Sequence, residues 1–209
     1  MKTIYFATSN TGKALSLQAR FDPTKVKIKQ ISLDIIEPQA DTCQEISIVK
    51  AKQAYAKLHK PVIVDDSAFH IPALNGFPGP YVKYILGTLG GRGILTTASE
   101  ISNRHAYFES SLTYISSNET YRTFSGKSTP GVLSDEFVPG NNPESWSELW
   151  NIVIPYGSSK ALIHFTNEEM IALKKELNQR DIYAEFAQWI NNQPIEQMNN
   201  CQLHKKILQ

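Results

Sequence analysis

Two short, wholly apolar runs constrain this chain most, because each passes without a break into a polar segment able to carry chemistry. Ile4-Tyr5-Phe6-Ala7, the body of a strand read over Lys2–Ala7, leads into Thr8-Ser9-Asn10-Thr11-Gly12-Lys13. Val62-Ile63-Val64, opened by Pro61, leads into Asp65-Asp66-Ser67. Rich in Ile, Val and aromatics, such runs read as buried strands. Between them lie a helix-compatible stretch at 14–20, a strand at 25–33 and a helix at 45–59. On that helix Ile48, Ala51, Tyr55 and Leu58 recur at three- and four-residue steps. Strands mixed with helices place the chain among α/β or α+β proteins. Its 209 residues can bury a sizeable core.

The rest of the chain reads more coarsely. Residues 75–80 form a turn and 81–89 a helix. Strands at 105–116 and 120–126 resemble a hairpin, and 134–148 is the longest irregular stretch. Thr166-Asn167-Glu168-Glu169 has the form of a capping box ahead of a helix bearing Met170, Leu173 and Leu177. A last helix starts near Arg180 and turns Ile182, Phe186 and Trp189 inward. Residues 1–193 read as one domain and 194–209 as a polar tail.

Twenty-one Lys and Arg against twenty Asp and Glu leave a net charge of +1. No strong field draws such a chain to nucleic acid or to a membrane surface, so a small anionic ligand requires a local basic pocket. No apolar run is long enough to span a bilayer. The opening residues pass into a strand without a signal-peptide stretch, and the two cysteines show neither metal spacing nor a disulfide framework. A cytoplasmic address is the simple expectation.

The segment Thr8 to Lys13 places hydroxyls, an amide, a glycine and a lysine ahead of a helix, where backbone N–H groups and the helix dipole favour a phosphate. It is not a Walker loop, since the leading glycine is absent and Ala14 stands where Ser or Thr would hold magnesium. Taken alone, the segment is also what an N-cap and turn look like. Asp65 and Asp66, read at a strand end, point in opposite directions and can divide their duties: one for a metal or a water, the other as support. A solvated turn would look the same. Glu37 and Glu45 bracket the polar connection before the second helix, with Lys50 five residues beyond Glu45. Taken alone, Glu45 is most simply a first-turn acid stabilised by the helix dipole and Lys50 a solvated side chain; with Asp66, Glu45 is also a candidate metal ligand.

The combination is more specific than its parts. Ala7-Thr8-Ser9-Asn10-Thr11-Gly12-Lys13 resembles the opening motif of the inosine triphosphate pyrophosphatase family, whose members clear unusual purine triphosphates. Glu45-Ile46-Ser47-Ile48-Val49-Lys50-Ala51 resembles the second motif of that family. Val64-Asp65-Asp66-Ser67, followed by Ala73-Leu74-Asn75-Gly76-Phe77-Pro78-Gly79-Pro80-Tyr81-Val82-Lys83-Tyr84, is similar to its most distinctive stretch. The resemblance implies a two-lobed, elongated α/β fold with a long twisted mixed sheet, a nucleotide cleft between the lobes and a homodimer. It implies that Thr8, Ser9, Asn10 and Lys13 grip a triphosphate with Lys50 assisting. It further implies that Asp66 binds magnesium and activates water with Asp65 in support, and that Glu37 is a further ligand.

The second half departs from the family. Where the family shows Phe-Gly-Trp/Tyr-Asp-Pro in its base-binding loop, this chain reads Glu148-Leu149-Trp150-Asn151-Ile152. Lys174 matches downstream, and Ser-His-Arg becomes Asn178-Gln179-Arg180. Trp150, Asn151, Lys174, Gln179 and Arg180 are thus the expected base-end contacts. An amide both donates and accepts, whereas a carboxylate only accepts, so selectivity for inosine-type bases is expected to be weakened or redirected. A second reading is a nucleotide-binding protein that no longer turns over.

Overall fold

A computed structural model describes residues 2–117, 120–143, 145–176 and 181–193. Among these residues, seven strands form one mixed sheet, and six α-helices accompany it. The strands are β1 (Lys2–Ala7), β2 (Val26–Ile31), β3 (Val62–His70), β4 (Pro78–Gly79), β5 (His105–Ser117), β6 (Thr120–Leu133) and β7 (Val153–Pro155). Their order is β2-β1-β3-β5-β6-β7, with β4 paired to β3. The helices are α1 (Thr11–Gln18), α2 (Cys43–Leu58), α3 (Val82–Thr88), α4 (Gly90–Thr97), α5 (Asn167–Glu176) and α6 (Ile182–Asn191).

The chain divides into two compact units. Among the described residues, the first holds 2–66, 111–117, 120–125 and 181–193, the second 67–110, 126–143 and 145–176. In the first, β1 pairs in parallel with β2 on one side and β3 on the other, with Phe6 opposite Ile63. Alternation along a strand sends successive side chains to opposite faces. Ile4, Phe6 and Ile63 therefore join one core with Leu17 of α1 and Phe186 of α6, while Ala7, Val62 and Val64 join another with Ala51 and Tyr55 of α2. Fully burying side chains such as Phe6 contributes about 1.5–3 kcal/mol each. The second unit builds its own core around Phe69, Ile94, Trp150 and Ile152.

Several sequence expectations are corrected. β3 does not stop at the aspartates but runs on to His70, because both carboxylates are paired with lysines and Ala68 and Phe69 beyond them are buried. The strand that does end there is β1. Extending its register with β3 sets Ala7 opposite Val64, so Asp65 and Asp66 stand just past the carboxyl end of β1. Helix α1 begins at Thr11, three residues before the expected start, since Asn10 caps it. On α2 the buried face includes Cys43, Ile46, Ser47 and Ala54, with Ile48 only half-buried. α4 was not expected, its Gly-rich start masking a helix, and β6 runs to Leu133 through Pro130 and Gly131. The paired hydroxyls Ser111–Ser125 (2.9 Å) and Thr113–Thr123 (3.0 Å) give β5 and β6 the antiparallel register of the expected hairpin. The capping box is present: the Thr166 backbone N–H donates to Glu169 and the Glu169 N–H to the Thr166 hydroxyl. Leu177 and the tail 194–209 lie outside the described residues.

Candidate active site

The loop after β1 is tied down by its own side chains. Thr8 donates its N–H to Ile31 of β2 (3.1 Å), and its hydroxyl accepts from Asn10 N (3.1 Å). Asn10 accepts from Lys13 N (3.1 Å), closing the first turn of α1. An N-cap of this kind contributes about 1 kcal/mol. Glycine at position 12 lets the cap approach, for a Cβ there would stand 3.2 Å from the Asn10 carboxamide oxygen. Ser9 is exposed. Lys13 therefore leaves the first turn of a helix, where the unsatisfied N–H groups and the dipole favour anions.

The two aspartates follow the alternation of β3. Asp65 continues the face of Ile63, toward α1 and α6. Its Oδ2 meets Lys13 Nζ at 3.0 Å and accepts the Tyr183 hydroxyl at 2.7 Å. Asp66 continues the face of Val62 and Val64, toward α2, and its Oδ1 meets Lys50 Nζ at 2.9 Å. Ser47, one turn before Lys50, is buried and bonds the hydroxyls of Ser111 (3.1 Å) and Thr113 (2.8 Å) on β5, which fixes α2 on the sheet. Glu37, about half exposed, reaches the same Lys50 ammonium at 3.5 Å.

Burial dominates the electrostatics. Asp66 is pushed up to about 6 by desolvation, against the pull of Lys50 and with Glu37 adding to the rise. Desolvation disfavours the Lys50 charge, yet the neighbouring carboxylates, Asp66 foremost, hold its pKa above the ordinary lysine value. Desolvation and then the Asp65 charge raise the Tyr183 phenol far above its usual range, so it stays a donor.

Magnesium requires one or two carboxylates and completes its shell with water and phosphate oxygens. Asp66 and Glu37 fit that demand, because both converge on a single cation, the Lys50 ammonium. Glu45 does not join them: its carboxylate is taken by the Thr42 N–H (3.2 Å) and hydroxyl (3.0 Å) in the capping box of α2. Among the described residues no three His, Cys, Asp or Glu side chains cluster as a metal cage.

The expected base-end residues lie in the second unit. Trp150 is 6% exposed and part of the core. Asn151 is buried and donates to Val138 O (2.9 Å), while Val138 N donates to Asn151 O (2.9 Å). Glu148 accepts from Gly91 N (2.6 Å) in the first turn of α4. Lys174 falls within α5, and Gln179 and Arg180 lie outside the described residues. Tyr183 was missed by the sequence reading. Its only signal was a tyrosine one step from the buried face of an amphipathic helix, where a phenol requires a polar partner.

The profile of the Ham1 family matches residues 4–149, a span that contains Lys13, Glu37, Lys50, Asp65 and Asp66 and ends before Trp150. The chain is 33% identical over 193 residues to a dITP/XTP pyrophosphatase of Methanopyrus kandleri, covering 90% of this chain and 96% of that one. It is 35% identical over 147 residues to inosine triphosphate pyrophosphatase 2 of Trypanosoma cruzi, covering 70% and 74%. In fold it is similar to a HAM1 protein from Coxiella burnetii, with a TM-score of 0.77 at 19% identity over 92% of this chain and 100% of that one. The Ham1 protein of Staphylococcus aureus gives 0.67 at 23% identity over 85% and 98%.

Proposed function

The chain belongs to the Ham1 family, and from that membership and the geometry of the carboxylates we propose that it hydrolyses a nucleoside triphosphate to a monophosphate and pyrophosphate. The observation that carries this reading is the pair of buried aspartates, adjacent on β3 and each joined to a lysine from a different helix. Such an arrangement holds two ammonium groups ready for a polyphosphate and two carboxylates ready for what the lysines leave behind.

The residues divide the work as follows. The capped N-terminus of α1 offers backbone N–H groups to phosphate oxygens, and Lys13 moves its charge from Asp65 to the triphosphate. Lys50 neutralises developing charge beside Asp66. Asp66, beside the Lys50 ammonium, orients the attacking water and takes up its proton. Magnesium would be held by Asp66 and Glu37, and when bound it supplies charge neutralisation on the phosphate oxygens. Attack at the α-phosphorus places the broken bond between the α and β phosphates, so that pyrophosphate leaves.

The relatives named for dITP, XTP and inosine triphosphate direct the substrate proposal to purine triphosphates of that kind. Purified protein with magnesium, given ITP, dITP, XTP, ATP and GTP in turn, is expected to release pyrophosphate and not orthophosphate. Tight triphosphate binding without pyrophosphate release would instead make the chain a binder.

A further inference from the structure

We propose that Tyr183 is a positioning residue of this site: its hydroxyl keeps Asp65 hydrogen-bonded while Lys13 exchanges that carboxylate for polyphosphate. The proposal rests on the pyrophosphatase reading above.

Asp65 Oδ2 is shared by two donors, Lys13 Nζ at 3.0 Å and the Tyr183 hydroxyl at 2.7 Å. They differ in freedom. The Lys13 side chain is 32% exposed and stands on a flexible stem in the first turn of α1, whereas the Asp65 side chain is 5% exposed. The Tyr183 ring is stiff, with two torsions, and packs edge-on against Phe6 of β1 at 6.4 Å between centroids. Its helix is also fixed independently. Asp181 caps α6 through the N–H groups of Tyr183 and Ala184, and it binds Arg20, just past the end of α1, at 2.9 Å. One donor is therefore a long, partly exposed chain and the other a packed ring.

That asymmetry matters to binding. A buried carboxylate stripped of its cation is strongly destabilising, and the cost falls if another hydrogen bond remains. With the phenol in place, releasing Lys13 to a phosphate leaves Asp65 with a partner. Without it, Asp65 retains Lys13 and competes with the ligand.

The test uses the full chain and the variants Tyr183→Phe, Arg20→Gln, Lys13→Met and Lys13→Met with Tyr183→Phe. Binding of an α,β-methylene purine triphosphate is measured with magnesium, beside turnover of the parent triphosphate. Tyr183→Phe is expected to weaken binding about tenfold while kcat stays within about threefold. Arg20→Gln loosens α6 but leaves the phenol in place, and should lower the melting temperature while weakening binding by less than Tyr183→Phe does. Unchanged affinity in Tyr183→Phe overturns the proposal, as does an equal affinity loss in Arg20→Gln. If the unaltered chain neither binds nor hydrolyses a triphosphate, the pyrophosphatase reading falls, and melting then decides the partner exchange by itself. The double variant should melt at least about 4 °C below the sum of its single effects; additive shifts would overturn the shared oxygen.

Discussion

Lys13, Lys50, Asp65 and Asp66 of the first unit and Glu148 and Asn151 of the second are all well bonded, but to different kinds of partner. In the first unit the bonds run from side chain to side chain: Lys13 with Asp65, Lys50 with Asp66 and Glu37. In the second they run from side chain to backbone: Glu148 to Gly91 N, and Asn151 to Val138 O. An ion pair of two flexible or half-flexible groups can be exchanged for a charged ligand at modest cost. A side chain that satisfies a main-chain group cannot leave without orphaning it. The first arrangement suits a site that opens on substrate, and the second suits a frame that holds a loop's path.

This contrast can be broken or sharpened by substitution. The largest effect is expected at Asp66→Asn, which removes charge and basicity with little change in shape. Pyrophosphate release should fall roughly thousandfold, within the range for loss of a general base, while circular dichroism stays that of the parent. A rate near the parent's would remove Asp66 from the chemistry.

Lys50→Met comes next. Loss of one charge-assisted contact should weaken triphosphate binding about 10- to 100-fold, read by titration with a non-hydrolysed analogue. An unaltered dissociation constant would place Lys50 with the framework residues instead.

Asn151→Asp sharpens the second half of the comparison. The new carboxylate cannot donate to Val138 O, so about 1–3 kcal/mol should be lost and the melting temperature should drop by about 3–10 °C. A preserved melting temperature with a changed ratio of ITP to ATP turnover would break the contrast and make residue 151 a base contact.

The smallest effect is a framework contact inside the first unit. Asp181→Ala removes the cap of α6 and should cost about 1 kcal/mol near neutral pH. Desolvation opposes the Asp181 charge, but the N–H of Ala184 and the Arg20 side chain outweigh it and hold the carboxyl below its ordinary value. The unfolded chain therefore binds its proton first as pH falls. The stabilisation is full above the ordinary carboxylate value of about 4 and is lost as pH drops through the lower folded value. Denaturant midpoints of parent and variant should converge in acid; parallel profiles would deny the cap its charge.

Much of the site was legible from local order. Lys13, Asp65 and Asp66 stand out in their own segments, Lys50 enters only through the family resemblance, and the opposite directions of adjacent strand residues already imply separate partners. The strand end was misassigned for a physical reason: a carboxylate in a sequence looks like a solvated turn, and only the lysines that pair with Asp65 and Asp66 allow β3 to continue through them. Glu45 was nominated as a ligand because its role depends on which atoms it reaches, and it reaches Thr42.

Periodicity is a local property, so the chain by itself determined which residues face which side of β1 and β3, where α1 and α2 begin to within a few positions, and that charge collects beside short buried strands. Pairing between distant segments is not local. Tyr183 stands 118 positions from Asp65, and only the docking of α6 beside α1 brings its phenol to that carboxylate. The tertiary structure alone could decide this, because hydrogen-bond partners are chosen by distance in space, and no spacing along a sequence encodes it.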